Sequence, residues 1–161
     1  MRILIYGYGN PGRQDDGLGI EVTNRLEDWV LKYQLAGFEF ENNYQLNIED
    51  STAIADKDLV IFADASEEEI DDFCLSVVDG SSKVAFTTHA ASPGYIVQLC
   101  KELFQKEPVV LLLHIKGYEW AFREGISERA SENLDQAFEY MKTLLVHPEI
   151  AIQSKENLKL C

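Results

Sequence analysis

Three widely spaced side chains, Asp16, Asp64 and His89, have the right types to act together. Each follows an apolar run that reads as a strand: Arg2–Tyr6 before Asp16, Leu59–Ala63 before Asp64, and Val84–Thr88 before His89. In open α/β sheets, sites form in the crevice at the carboxyl ends of the strands. Parallel strands would therefore bring these three side chains together. Two carboxylates and one imidazole make a mixed oxygen and nitrogen set that suits a borderline divalent metal and leaves positions open for water or substrate. Each residue also has a plain alternative. One of Asp15 and Asp16 is expected to cap the first helix, with Asp15 as the cap and Asp16 free. Asp64 could be a turn residue after its strand, and His89 could hydrogen-bond within its own loop. There is no H-E-x-x-H pattern, and no Ser or Cys has a base at meaningful spacing, so a nucleophilic triad gains no support. His114, inside a very apolar strand, reads as a core histidine with a backbone partner, and His147 as surface.

The loop that would present Asp16 is rich in glycine. Gly7-Tyr8-Gly9-Asn10-Pro11-Gly12 fits the dinucleotide pattern G-x-G-x-x-G. Such loops aim backbone N–H groups and a helix N-terminus at pyrophosphate. Here Asp15 and Asp16 follow, and they would repel a phosphate at the point of closest approach. The same carboxylates suit a cation. Gly9, Asn10 and Gly12 would let the loop approach a substrate backbone closely, or they merely shape the strand-to-helix turn.

The elements that must position these residues alternate strand and helix. Apolar residues from Ile20 to Tyr33 recur at roughly helical spacing and give a first helix from about Asp16 to Leu35. Phe38–Glu41 alternates as a half-exposed strand, which Tyr44–Leu46 could extend, and Ser51–Ala55 is a short helical candidate. Ser92 with Pro93 opens another helix, whose core face is expected at Ile96, Leu99, Cys100, Leu103 and Phe104. Val109–Ile115 is the most apolar strand, and Gly117–Gly125 is an aromatic-rich loop, either part of a protein-binding surface or core edge. Ser127 caps a last helix with Ala130, Leu134, Ala137, Phe138, Met141 and Leu145 on one face. The expectation is a three-layer α/β/α domain over 1–146, with a mostly parallel, twisted sheet of about five strands. Residues 147–161 read as a loosely held polar tail.

Composition narrows the classes further. A chain of 161 residues with 46% hydrophobic and 11% aromatic residues can bury one sizeable core. A formal net charge of -14 argues against nucleic acid as a partner. Cys74, Cys100 and Cys161 lie far apart without a C-x-x-C pair, and are expected as buried or incidental thiols in a reducing cytosol. No signal-peptide core or apolar run of about 20 residues is present, so a cytoplasmic protein without membrane contact is expected.

Taken together, Gly7-Tyr8-Gly9-Asn10-Pro11-Gly12-Arg13-Gln14-Asp15-Asp16-Gly17-Leu18-Gly19 resembles the opening signature of nickel–iron hydrogenase maturation endopeptidases, G-x-G-N-x-x-x-x-D-[DE]-x-x-G. Leu59–Ala65 resembles that family's second motif, an apolar strand ending in Asp-Ala. Thr88-His89-Ala90-Ala91-Ser92-Pro93-Gly94 resembles its histidine motif in one branch, and Gly117-Tyr118 and Phe122–Ser127 are similar to the same branch. The resemblance covers the chain to about Leu145 and finds no counterpart for the tail. It implies that Asp16, Asp64 and His89 are metal ligands, with an Asp at position 16 where some relatives carry Glu. It also implies an endopeptidase that removes a C-terminal extension from the hydrogenase large-subunit precursor once nickel is in place. Nickel could then polarise the scissile carbonyl and a bound water as a Lewis acid, or be recognised where the substrate already carries it; recognition, with or without carbonyl activation, is the favoured expectation. The precursor is the expected partner, and a monomer the simpler expectation.

Two other classes compete. Gly9-Asn10-Pro11-Gly12 also resembles the opening of peptidyl-tRNA hydrolases, but the continuation Arg13-Gln14-Asp15-Asp16 and the acidic balance do not fit them. A non-catalytic module that docks on a metalloprotein would not need all of Asp16, Asp64 and His89, which are present.

Overall fold

The computed structural model describes residues 1–80 and 91–161. The expected strand at Val84–Thr88 and His89 after it lie outside the described residues. The other expected strands form. β1 (Ile3–Tyr8), β2 (Phe38–Asn43), β3 (Leu59–Ser66) and β5 (Val109–Lys116) run parallel, joined by β4 (Phe73–Val77) in the order β2-β1-β3-β5-β4. β4 pairs antiparallel with β5 at one edge. The sheet is thus mostly parallel and five-stranded, as the sequence suggests, but β4 was not expected. Its five residues follow the acid-rich segment 67–72, which masks so short an apolar run.

Period-two alternation splits the strands between two cores. Ile3, Ile5, Leu59, Ile61, Ala63, Leu111 and Leu113 face one side. There they meet Leu18, Val22 and Leu26 of α1 (Leu18–Lys32) and Ala130, Leu134, Ala137 and Met141 of α4 (Glu128–Val146). Leu4, Tyr6, Val60, Phe62 and Val110 face the other, against Ile54 of α2 (Asp50–Ile54) and Ile96, Val97 and Cys100 of α3 (Pro93–Phe104). Near-continuous apolar runs are what a parallel sheet covered on both faces requires. Burial of a single Leu or Ile here contributes about 1.5–3 kcal/mol.

Both serine caps form. Ser92 Oγ accepts from the Tyr95 N–H at 3.2 Å, and Ser127 Oγ from the Ala130 N–H at 3.3 Å. The core face of α3 is rotated from the expected one: Val97 is buried, whereas Leu103 and Phe104 are exposed in the last turn. β2 stops at Asn43 rather than continuing, and Leu46 turns into the α2/α3 core.

The C-terminal residues depart most from expectation. Beyond α5 (Glu149–Gln153), the chain returns along the free edge of β4. Leu75 N–H donates to Lys159 O at 2.8 Å, and Cys161 N–H to Leu75 O at 2.9 Å. Ala151 and Leu158 are buried, so the tail is packed and not loose. Cys74 and Cys161 form a disulfide across 87 residues, which leaves Cys100 as the free, buried thiol. The expectation of thiols holds for the buried Cys100 and fails for Cys74 and Cys161, because topology, not spacing, brings the tail to β4. An edge strand with unpaired backbone groups is a liability for aggregation, and this segment covers it.

Candidate functional site

At the carboxyl ends of the parallel strands, β1 gives way to the glycine loop and a single 3₁₀ turn, Gln14–Gly17, that leads into α1. Gly9 has φ +135°, and a Cβ there would lie 2.1 Å from the Asp16 carbonyl oxygen. No residue with a side chain fits. The Asn10 N–H donates to Asp16 Oδ2 at 2.8 Å, and Asn10 Oδ1 accepts from the Gly12 N–H at 2.9 Å. The turn-shaping role read for Gly9, Asn10 and Gly12 is therefore visible in the geometry. The loop holds Asp16 half-exposed at the sheet end.

Asp64 arrives from the neighbouring strand. It lies inside β3 rather than just beyond it, on the same face as Tyr6, Tyr8 and Phe62. The Tyr8 hydroxyl donates to its carboxylate, and the Tyr8 ring packs edge-on to Phe62 at 6.4 Å. Burial first, and then the charge of Asp16, push the Asp64 carboxyl up to about 7. The Ala65 N–H and the Tyr8 hydroxyl oppose that rise without cancelling it. Burial and the Asp64 charge raise the Tyr8 hydroxyl well above its ordinary value, so it remains a donor. The two carboxylates thus sense each other's charge in a partly dry setting, where a cation would relieve the repulsion. Sequence reading missed Tyr8. The signal was available, since alternation along β1 and β3 places positions 8 and 64 on one face.

Asp15 turns the other way and is fully buried. Its Oδ2 accepts from the Tyr118 N–H (2.8 Å), the Glu119 N–H (2.9 Å) and Ser127 Oγ (2.7 Å), and its Oδ1 from the Ser127 N–H (2.7 Å). Burial alone would raise its pKa, but these bonds outweigh it and hold the carboxyl below its usual value. Asp15 was expected to cap the first helix. No side chain caps α1, and Asp15 instead anchors the aromatic loop and the start of α4.

Neighbouring residues continue the staple. Gln14, buried and with φ 45°, accepts from the Ala121 N–H at 3.0 Å, and its own N–H donates to Arg123 O at 2.9 Å. Arg13 Nε donates to Trp120 O at 3.0 Å. A non-glycine residue in the left-handed region stores strain that the surrounding bonds must hold.

The remaining candidates separate. His114 lies in β5 in register with Asp64 on one side and Cys74 on the other. Its Nε2 is 2.7 Å from Ser76 Oγ, so its partner is a side chain and not the expected backbone group. Burial lowers its pKa against a smaller opposing pull from Glu68. His147 is exposed, as expected, and lies 3.4 Å from Glu149. His89, the third expected ligand, lies outside the described residues. Among the described residues, no group of three or more His, Cys, Asp and Glu side chains is placed to hold a metal. A concavity of about 800 Å³ lies at the opposite, amino-terminal end of the sheet, lined by Asp58, Pro108 and Val109 among others. The ionisable pair, not that concavity, marks the candidate site. Among the described residues, no helix is long and apolar enough to cross a membrane.

No protein-family model matches the sequence, and no curated protein matches it either. Solved structures do match. The [NiFe] hydrogenase maturation protease HycI from Thermococcus kodakarensis KOD1 superposes with a TM-score of 0.72 at 24% identity, over 91% of this chain and 93% of that one. The hydrogenase maturating endopeptidase HybD from E. coli gives 0.71 at 17% identity, over 92% and 94%. A hydrogenase 2 maturation peptidase from Thaumarchaeota archaeon SCGC_AB-539-E09 gives 0.64 at 19%, over 90% and 98%. The chain therefore has, over nearly its whole length, the α/β fold of the hydrogenase maturation proteases.

Proposed function

We propose that this chain is an endopeptidase that removes the C-terminal extension of a nickel–iron hydrogenase large-subunit precursor after nickel insertion. The observation that carries the reading is the convergence of Asp16 and Asp64 at the carboxyl end of the sheet. They stand in a fold shared with maturation proteases. The motif resemblance adds His89 as the third ligand. Two carboxylates and an imidazole fit nickel, which accepts oxygen and nitrogen donors. Burial and, after it, the charge of Asp16 raise Asp64, and a divalent cation would relieve the second of these.

In this reading nickel belongs to the substrate, and Asp16, Asp64 and His89 recognise it. A nickel ion at that place supplies Lewis-acid polarisation of the scissile carbonyl or of a water. The chain's own residues do the positioning. Gly9 and Asn10 hold Asp16, the Tyr8 hydroxyl orients Asp64, and Gly12 leaves room for substrate backbone beside the loop. The partner is the precursor alone, met by a cytoplasmic monomer without nucleic acid or membrane.

Mass spectrometry of purified precursor, nickel-loaded or nickel-free, mixed with the wild-type chain tests this. Loss of one C-terminal peptide only from the nickel-loaded precursor is expected. Binding without any mass change would leave a docking role and end the endopeptidase reading.

A further inference from the structure

Phe122 is 87% exposed, far more than an aromatic ring in a settled fold usually is. The loop beneath it is not slack. Asp15 holds its two ends, at Tyr118–Glu119 and at Ser127. Gln14 holds the middle through the Ala121 N–H and Arg123 O, and Arg13 through Trp120 O. The ring is therefore presented on a fixed backbone, so little ordering entropy opposes binding to it.

The charges around the ring are also unusual for this chain. It has five arginines and a net charge of -14. Arg2 and Arg25 bind carboxylates, Asp56 and Asp135, each at 2.6 Å. Arg13, Arg123 and Arg129 make no ion pair among the described residues, and residues 81–90 contain no Asp or Glu. Arg13 instead lies 5.6 Å from the Phe122 ring centre, and Arg129 lies 3.9 Å from that of Tyr118. Glu119, Glu124 and Glu128 share this loop, so the patch is locally balanced rather than basic. Its guanidinium groups are nevertheless the ones left without carboxylates in a strongly acidic protein. Aromatic rings beside arginines are the composition of binding hot spots.

We propose that Phe122, with Arg13 and Arg123 beside it, docks a segment of the protein substrate that pairs an apolar side chain with a carboxylate. The apolar group packs on the ring and the carboxylate takes the free guanidinium donors. Position supports a substrate. Arg13 O accepts from the Asp16 N–H at 3.1 Å, so the arginine beside the ring stands on the same turn as Asp16. The inference rests on the endopeptidase reading and adds to it the chemistry of the segment recognised.

The test uses the full chain and purified nickel-loaded precursor. Phe122→Ala and Arg123→Glu alter exposed side chains, so both should melt with the wild type. Each should raise KM and Kd by about 30-fold, with kcat little changed, and wild-type affinity should fall with added salt. Wild-type KM in both variants would overturn the proposal. So would a wild type that sediments as a dimer while Phe122→Ala is a monomer, because the ring would then serve a second copy. A wild type that does not cleave at all would instead remove the endopeptidase reading, which keeps the two failures distinct.

Discussion

Two adjacent carboxylates in one short turn have opposite surroundings. Asp15 is buried, and its oxygens collect four hydrogen bonds from the loop 118–127. Among the described residues, Asp16 is half-exposed, has one backbone N–H on its carboxylate, and shares its field with Asp64. A carboxylate saturated by donors has nothing left to offer a ligand, whereas one held by a single donor keeps its other lone pairs. The difference gives Asp15 a part in the architecture and leaves Asp16 available for the proposed chemistry. It also shows why proximity in sequence is a poor guide to role, since the 3₁₀ turn sends the two side chains to different neighbours.

The contrast can be broken by substitution, and the largest effect is expected on the buried side. Asp15→Ala strands two backbone N–H groups of the loop and the Ser127 N–H and hydroxyl. It should cost about 3–5 kcal/mol in a denaturant titration, or prevent folding. A loss under about 1 kcal/mol would show that the loop is held some other way.

On the other side the sign reverses. In the folded chain the Asp64 carboxyl is raised to about 7 from 3.8, so the folded state holds the extra proton between those values. Stability is then fully present below the unfolded pKa and is lost as pH rises through about 7. Asp64→Asn escapes that loss. It should match the wild type near pH 4 and exceed it increasingly to about pH 7, by on the order of 2 kcal/mol. Melting curves across that range check it, and a difference independent of pH would contradict it. Tyr8→Phe sharpens the same point with a smaller effect. Without the hydroxyl donor the Asp64 carboxylate is less favoured, so its titration, followed by carboxyl-carbon NMR, should move above that of the wild type. The stability change should stay within about 1 kcal/mol. An unmoved midpoint would deny Tyr8 its orienting part.

Much of this frame can be read directly from local pattern. β1, β3 and β5 are apolar runs long enough to be unambiguous, and Ser92 and Ser127 sit where a cap must. Local pattern also put Asp16 and Asp64 at strand ends. It failed where the partner lies far along the chain. Asp15 meets groups more than a hundred residues away, Cys74 meets Cys161, and the tail pairs with β4. A hydrogen bond from a distant backbone N–H leaves no periodicity or spacing behind. The strand β4 failed for another reason: at five residues it is too short to outweigh the acidic segment before it.

The most direct test of the central claim joins both properties in one variant. Asp16→Asn is nearly isosteric, and its amide oxygen can still accept the Asn10 N–H. It should melt within about 3 °C of the wild type yet process nickel-loaded precursor at least about a hundredfold more slowly by mass spectrometry. Processing at the wild-type rate would contradict the assignment of chemistry to Asp16.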